Sequence, residues 1–303
     1  MQIHWYPGHM HKAQRKMREI FHQVDVMIEV VDARLPQAST NAMLADIRGD
    51  KPWVTVLNKA DLADPKITAQ WQLFLARSER TRVYVNQTQQ HKRRIEIPQL
   101  CRELLPRRGI PGKPIRALIA GIPNVGKSTL INHLAGRKIA LTGNEPAVTK
   151  HQQRILVERG FQLLDTPGIM QPSPSSMLAG YRLAASGAIR NTAMDFTDVA
   201  LFLVDFLLQR YPGRLAQRFA VDEASDHAPD VLAKIAEARG CWRGQELDVH
   251  RASEIVLHEW RLGQLGRTSL ESPSAETLCR LLPPPEDEAS PPGPDGLDQT
   301  PKE

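Results

Sequence analysis

The sequence predicts an α/β domain built on a mostly parallel sheet, followed by a smaller and mainly helical region. Two observations support the sheet. Short runs rich in Val and Ile recur along the first part of the chain, and helical stretches separate these runs. The third observation concerns residues 171–176, which are rich in Pro and Ser. After them the pattern is helical, without clear strands, up to residue 282, so we place the domain boundary after residue 172.

Each predicted strand is short and apolar, as expected of a strand buried on both faces of a parallel sheet. In chain order the predicted strands are Val24–Val31, Trp53–Leu57, Arg82–Val85, Ile115–Ala120, Arg154–Glu158 and Phe161–Leu164. Before the first strand, Met10, Ala13, Met17 and Ile20 lie at helical spacing with basic residues between them, which predicts a basic amphipathic helix. A loop rich in Pro, Gly and basic residues, 106–114, separates the third strand from the fourth.

Charge and composition set the end of the chain apart from the rest. The net charge is +5, but the last 21 residues hold six acids, one Lys and seven prolines, so the remainder carries +10. A tail of this composition cannot bury enough apolar surface to fold. A basic surplus attracts polyanions such as nucleic acid, although a solvated basic surface gives the same count. We predict a sheet domain over 1–172, a helical domain over 173–282 and a disordered, Pro-rich acidic tail over 283–303.

Cysteine usage and hydropathy exclude several classes of protein. Cys101, Cys241 and Cys279 form no C-x-x-C pair, which excludes a disulfide framework and argues against a cysteine-built zinc site. The N-terminus has no apolar core for a secretory signal. The richest apolar stretch, Val199–Leu208, is too short to span a bilayer and contains Asp205. These features predict a cytoplasmic protein with no membrane partner.

The segment from Gly121 to Ser128 matches the phosphate-binding pattern G-x-x-x-x-G-K-S and lies between a predicted strand and a predicted helix, as that motif requires. Such a loop turns its backbone N–H groups toward phosphates, while Lys127 would meet the β- and γ-phosphates and Ser128 would hold Mg²⁺. A Gly-rich turn at a helix start is the alternative. The residues predicted to bind nucleotide here are Asn124, Val125, Gly126, Lys127, Ser128 and Thr129, and Lys127 is also a predicted catalytic residue.

Two further motifs follow predicted strands. Asp165-Thr-Pro-Gly168 places a carboxylate where it can reach Mg²⁺, and the Gly168 N–H can sense a γ-phosphate. In Asn58-Lys59-Ala-Asp61, the carboxylate can accept both the N1–H and the N2–H of guanine, a donor pair that adenine lacks. Asn58 would meet the other edge of the purine and tether the phosphate loop. The alternatives are a simple turn at the first motif and a helix cap at the second.

The order of these motifs is circularly permuted, because the guanine motif precedes the phosphate loop. Together with the segments 3–10, 32–36 and 263–271, the motifs resemble the family of ribosome biogenesis GTPase A over about residues 2–272. Members of that family bind the immature large ribosomal subunit. The resemblance implies a circularly permuted P-loop GTPase domain over 1–172 and a helical domain that binds RNA or the ribosome over 173–282.

The resemblance also implies roles for individual residues. Thr149 corresponds to the switch threonine that contacts Mg²⁺ in the GTP state, Asn124 to a phosphate-loop residue associated with K⁺, and Asn86 falls in the last guanine loop. Ile169 stands where many GTPases have a water-orienting Gln, so hydrolysis is expected to be slow in the free protein. His9 is then the implied water-positioning residue on the ribosome; a structural or RNA-contacting His is the alternative.

The predicted function is GTP hydrolysis during maturation of the large ribosomal subunit, with docking on rRNA in the GTP state and release on hydrolysis. The predicted ligands are GTP or GDP, Mg²⁺ and K⁺, and the predicted partners of the monomer are the large-subunit precursor and its rRNA. Two rivals stay open: a non-catalytic RNA-binding scaffold that nucleotide only stabilises, and a permuted GTPase that acts on the small subunit or in translation. Near the end of the helical domain the sequence predicts an apolar helix face that packs in the core. Arginines near this face can hold rRNA phosphates; a solvated basic face is the alternative. The apolar residues are Leu247, Ala252, Ile255, Val256 and Trp260, and the arginines are Arg251, Arg261 and Arg267.

Overall fold

A six-stranded sheet lies at the centre of the residues that the computed structural model describes, which are 19–87, 96–140, 153–165, 175–189, 194–223 and 227–274. Its strands are β1 (Val26–Asp32), β2 (Trp53–Asn58), β3 (Thr81–Val85), β4 (Ile115–Gly121), β5 (Gln153–Glu158) and β6 (Phe161–Asp165). Their spatial order is β3-β2-β1-β4-β6-β5, and every neighbouring pair is parallel except β5 and β6. The predicted mostly parallel sheet is confirmed, with each strand end within two residues of its predicted place.

Helices connect the strands and form most of the C-terminal region. They are α1 (Pro36–Ser39), α2 (Ala42–Arg48), α3 (Pro65–Leu75), α4 (Ile97–Leu104), α5 (Lys127–Ala135), α6 (Met177–Ser186), α7 (Phe196–Arg210), α8 (Arg214–Phe219), α9 (Ala228–Ala238) and α10 (Val249–Arg261). Side chains cap the starts of several helices: Asp64 accepts from the N–H of Lys66, and Asp248 from that of Arg251. Each such cap contributes about 1 kcal/mol. None of the helices in the described ranges has the length and hydropathy needed to cross a bilayer.

The sheet is covered by apolar side chains on both faces. On one face, Ile28 and Val30 of β1 belong to the same buried cluster as Leu203 of α7 and Leu257 of α10. On the other face, Met27 and neighbouring residues pack in a smaller cluster. The sheet and the C-terminal helices therefore share a continuous core. The predicted boundary after residue 172, most of the basic N-terminal helix and the tail lie outside the described residues.

The C-terminal region also contains a small hairpin that the sequence analysis missed. Its strands are β7 (Trp242–Arg243) and β8 (Glu246–Leu247), which pair antiparallel across a two-residue turn. The prediction that Leu247 shares a helix face with Ala252 is therefore wrong, because Leu247 lies in β8 and α10 begins only after the cap at Asp248. The dipeptide Gly-Gln between the two strands was the local sign of a hairpin.

A carboxyl group lies buried in the middle of β1. Glu29 is 3% exposed, and its Oε1 accepts the N–H of Asn41 at 2.9 Å. Burial raises the pKa of Glu29 to about 7, although the Asn41 N–H and the positive charge of Arg48 oppose the shift. The folded protein therefore favours the protonated form of this group across the mildly acidic range.

We expect Glu29→Gln to stabilise the protein above pH 7 by about 3 kcal/mol and to change little below pH 4.5. Because the folded pKa lies above the unfolded value of 4.5, the stabilising contribution of Glu29 is complete below pH 4.5 and is lost as the pH rises to about 7. A neutral amide has no such dependence. Urea unfolding at pH 5 to 8 measures the difference in free energy of unfolding between the variant and the wild type. Glu79→Gln, at an exposed position, is the control. If this difference does not grow as the pH rises, the raised pKa of Glu29 is contradicted.

Candidate guanine nucleotide site

The predicted motifs meet at one edge of the sheet. Strands β2, β3, β4 and β6 run parallel to β1, so their carboxyl ends share an edge. Asn58 ends β2, Asn86 follows β3, Gly121 ends β4 and Asp165 ends β6. The permuted order of the motifs does not matter for this convergence, because it depends on strand direction and not on connectivity.

The phosphate loop is tied to the guanine motif. Asn58 Nδ2 donates to the carbonyl oxygen of Val125 at 2.6 Å, which is the tether that the sequence predicts. Gly126 has φ +92°, and a Cβ there would lie 2.4 Å from Asn58 Nδ2, so this close approach requires glycine. Helix α5 begins directly after it at Lys127. The N–H groups of a first helical turn have no intrahelical acceptors and can therefore donate to a bound anion.

A buried ion pair joins the phosphate loop to β6. Lys127 Nζ contacts Asp165 Oδ1, and the two side chains are 6% and 1% exposed. Burial lowers the pKa of Lys127, and the Asp165 carboxylate opposes that shift. An ammonium, a carboxylate and the hydroxyl of Ser128 at a helix start form the donor set that a Mg²⁺-bound triphosphate needs. The residues present therefore fit this ligand: Lys127 would contact the β- and γ-phosphates, and Ser128 and Asp165 would hold Mg²⁺.

Asn86 supports the guanine motif from the neighbouring strand. Its Nδ2 donates to Asn58 Oδ1 at 2.6 Å, and its carbonyl oxygen accepts the N–H of Ala60 at 3.0 Å. A hydrogen-bonded series therefore runs from Asn86 through Asn58 to Val125 in the phosphate loop. Asn86, which the family resemblance places in the last guanine loop, orients Asn58 in the structure. Asp61 lies partly buried on the turn that this series holds.

Lys59 forms a second link between the same two loops. Its backbone is left-handed, with φ +59°, and its Nζ donates to the carbonyl oxygen of Asn124 at 2.7 Å and to Asp32 Oδ2 at 3.2 Å. Burial lowers the pKa of Lys59, and the Asp32 carboxylate opposes the shift. The guanine motif and the phosphate loop are thus connected by the amide of Asn58 and the ammonium of Lys59.

Asp32 and Arg34, to which the motifs assigned no role, form a buried ion pair beside Lys59. Arg34 donates to both oxygens of Asp32, at 3.0 Å from Nε and 2.8 Å from Nη2, and its guanidinium lies 4.1 Å from the ring centroid of Trp260 in α10. Burial acts to raise the pKa of Asp32, but Arg34 and Lys59 outweigh it and hold that pKa below its ordinary value. The Asp-x-Arg spacing after a buried strand was the signal that could have identified this pair.

The C-terminal helices also contact the phosphate loop. Asn124 Nδ2 donates to the carbonyl oxygen of Gly187, at the end of α6, over 2.8 Å. Arg261 donates to the carbonyl oxygens of Ala185 and Ala184 at 2.8 and 2.9 Å. In the structure this guanidinium, which the sequence assigned to rRNA phosphates or to a solvated surface, bonds the end of α6.

Several predicted site residues lie outside the described residues. They are His9, Thr149, Gly168 and Ile169. The predicted residues that the structure does bring together at the sheet edge are Asn58, Lys59, Asp61, Asn86, Asn124, Val125, Gly126, Lys127, Ser128, Thr129 and Asp165.

Comparison with known proteins agrees with this arrangement. Residues 116–237 match the family model described as 50S ribosome-binding GTPase. Ribosome biogenesis GTPase A of Bacillus cereus is 42% identical over 281 residues, which cover 90% of this chain and 95% of that protein. Mitochondrial ribosome-associated GTPase 1 of Bos taurus is 34% identical over 248 residues, covering 77% and 74% of the two chains.

A solved structure shows the same similarity in three dimensions. The crystal structure of GNP-bound YlqF from T. maritima is 26% identical, has a TM-score of 0.62, and covers 87% of this chain and 99% of that one. The similarity therefore covers nearly the whole length of both chains. The chain therefore belongs to the family of ribosome biogenesis GTPase A, circularly permuted P-loop GTPases of ribosome assembly.

Proposed function

We propose that this protein, acting as a monomer, hydrolyses GTP to assist maturation of the large ribosomal subunit. It docks on the precursor and its rRNA in the GTP state and is released on hydrolysis. The observation that carries the proposal is the joining of three motifs at one sheet edge, where Lys127 contacts Asp165 and Asn58 tethers Val125. The matching family model, described as 50S ribosome-binding GTPase, supports the choice of subunit.

In this proposal each part of the site has one task. Asp61 reads the two N–H donors of guanine, and Asn58 faces the other edge of the base. The residues from Asn124 to Thr129 surround the phosphates, with Lys127 on the β- and γ-phosphates. Mg²⁺ supplies charge neutralisation on these phosphates when it is bound by Ser128, Thr149 and Asp165.

The contacts of the phosphate loop suggest how the nucleotide state reaches the helical region. Asn124 bonds the end of α6, and Arg261 of α10 bonds the same end of that helix. A rearrangement of the loop on hydrolysis would therefore favour a different position of these helices. A change of this kind shifts the equilibrium between a docked and a released state.

We expect GTP turnover to be slow in the free protein, to rise at least about tenfold on large subunits, and to require K⁺ rather than Na⁺. The slow rate follows from Ile169, whose aliphatic side chain cannot orient water. The cation dependence follows from Asn124, which would hold K⁺ beside the phosphates. Initial rates in each salt, with and without purified large or small subunits, measure these effects.

The variant Asn124→Gly tests the cation site, because glycine tolerates the φ of +57° at this position and removes the side-chain amide, together with its hydrogen bond to Gly187. It should remove the advantage of K⁺ over Na⁺. Fast turnover in Na⁺ without ribosomes would contradict both inferences. Stimulation by small subunits would favour the alternative partner, and GTP binding without turnover on either subunit would favour a non-catalytic scaffold.

A further inference from the structure

The turn that carries Asp61 is bonded to a segment more than 200 residues away. Arg267 Nη2 donates to the carbonyl oxygen of Ala60 at 2.9 Å, and its Nε donates to that of Ala63 at 2.8 Å. The N–H of the next residue, Thr268, donates to the carbonyl oxygen of Leu62 at 3.1 Å. The peptide groups on both sides of Asp61 are therefore held by two consecutive residues of this segment.

The turn needs such support because its first residue is strained. Lys59 has φ +59°, a conformation that residues with a Cβ keep only when their surroundings impose it. The supporting segment also approaches closely, since a Cβ on Gly263 would lie 2.6 Å from Leu62 Cδ2. A guanidinium is well suited to the task, because its planar fork fixes two acceptors at once.

The supporting segment is itself anchored to the sheet domain and to two C-terminal helices. Trp260 Nε1 donates to Thr268 Oγ1 at 2.8 Å, and the N–H of Leu270 donates to the carbonyl oxygen of Arg34 at 2.7 Å. The Glu271 carboxylate accepts the N–H of Gln37 at 2.7 Å and pairs with Arg182 of α6 at 3.1 Å. Arg267 therefore acts from a fixed position and not from a free chain end.

We infer that Arg267 is a positioning residue for guanine recognition, holding Asp61 where it can accept both donors of the base. This inference rests on the proposed role of Asp61. Hydrogen bonds to a base edge require placement to within about 0.5 Å, so a looser turn weakens contact with guanine. The phosphates are held by a separate loop, and their contribution to affinity is expected to persist. The sequence analysis assigned Arg267 to rRNA phosphates, and in the structure its guanidinium donates to two carbonyl oxygens of its own chain.

The test compares the affinities of the full-length protein for GDP and IDP, since hypoxanthine keeps N1–H but lacks the 2-amino group. Arg267→Ala should weaken GDP binding about tenfold and IDP binding less, so that the preference for GDP shrinks several-fold. Arg267→Lys should recover part of the preference, because an ammonium keeps the charge but lacks the planar fork that fixes both carbonyls. The matched control is Arg159→Ala, which removes an exposed arginine at the turn between β5 and β6, at the opposite end of the sheet.

Three results would overturn the inference. If Arg267→Ala lowers the melting temperature but leaves the GDP-to-IDP preference unchanged, the residue is merely structural. If nucleotide binding is unchanged while subunit binding weakens and loses salt dependence, Arg267 contacts RNA. Should Arg267→Ala fail to fold, Arg267→Lys decides by the same ratio, and a wild-type preference in that variant overturns the inference.

A parallel variant separates this inference from the proposed function. If Asp61→Asn still prefers GDP over XDP, the guanine assignment fails and the role of Arg267 fails with it. If Asp61→Asn changes base preference while Arg267→Ala keeps the wild-type ratio, only the role of Arg267 is overturned.

Discussion

Asp61→Asn is expected to weaken GTP binding about 10³-fold and to make the xanthine nucleotide the preferred substrate. The carboxylate accepts two N–H groups of guanine, whereas an amide turns one of its own N–H groups toward the base and leaves a guanine donor without an acceptor. Xanthine carries an oxygen where guanine has an amine, so the amide can donate to it. Competition binding with GTP, XTP and ATP measures the change.

Asp64 offers a matched control for this substitution, because it lies three residues further along the same segment. Its carboxylate caps α3, and an Asn caps a helix about as well, so Asp64→Asn should keep the wild-type preference. An unchanged preference for GTP in Asp61→Asn would remove the residues 58–61 from the guanine site.

His9→Ala is expected to lower subunit-stimulated GTP turnover by about 10²–10⁴-fold while GTP affinity and subunit binding stay nearly intact. The reason is that Ile169 cannot orient the attacking water, so another group must do so on the ribosome. The measurement is the rate of GTP hydrolysis against the concentration of large subunits, which separates the plateau from the half-saturating concentration.

The same titration distinguishes catalysis from docking. If His9 only contacts RNA, the variant will need more subunit to saturate but will reach the wild-type plateau, and His9 leaves the list of catalytic residues. Joint neutralisation of Lys12, Arg15 and Lys16 is the comparison, because it should lower affinity and flatten its salt dependence without changing the plateau.

The sheet and the meeting of the motifs were predictable because they depend on local pattern and one topological rule. Apolar runs such as Trp53–Leu57 form buried strands wherever helices cover both faces. Strands of the same direction present their carboxyl ends at one edge, which brings Asn58 beside the phosphate loop in spite of the permuted order. The family resemblance, carried by the same motifs, is likewise a property of short segments.

The uses of individual polar side chains were decided by the tertiary structure. The sequence is consistent with Arg261 and Arg267 as RNA-binding arginines. In the structure, Arg261 donates to carbonyl oxygens at the end of α6, and Arg267 donates to carbonyl oxygens around Asp61. Asn86 orients Asn58, and Arg34 packs on Trp260 across 226 residues of sequence. A basic residue looks the same in a sequence whether its partner is a phosphate or a peptide carbonyl. Its partner is set only when the chain folds and excludes water, because a buried carbonyl then requires a donor from whatever side chain lies within reach.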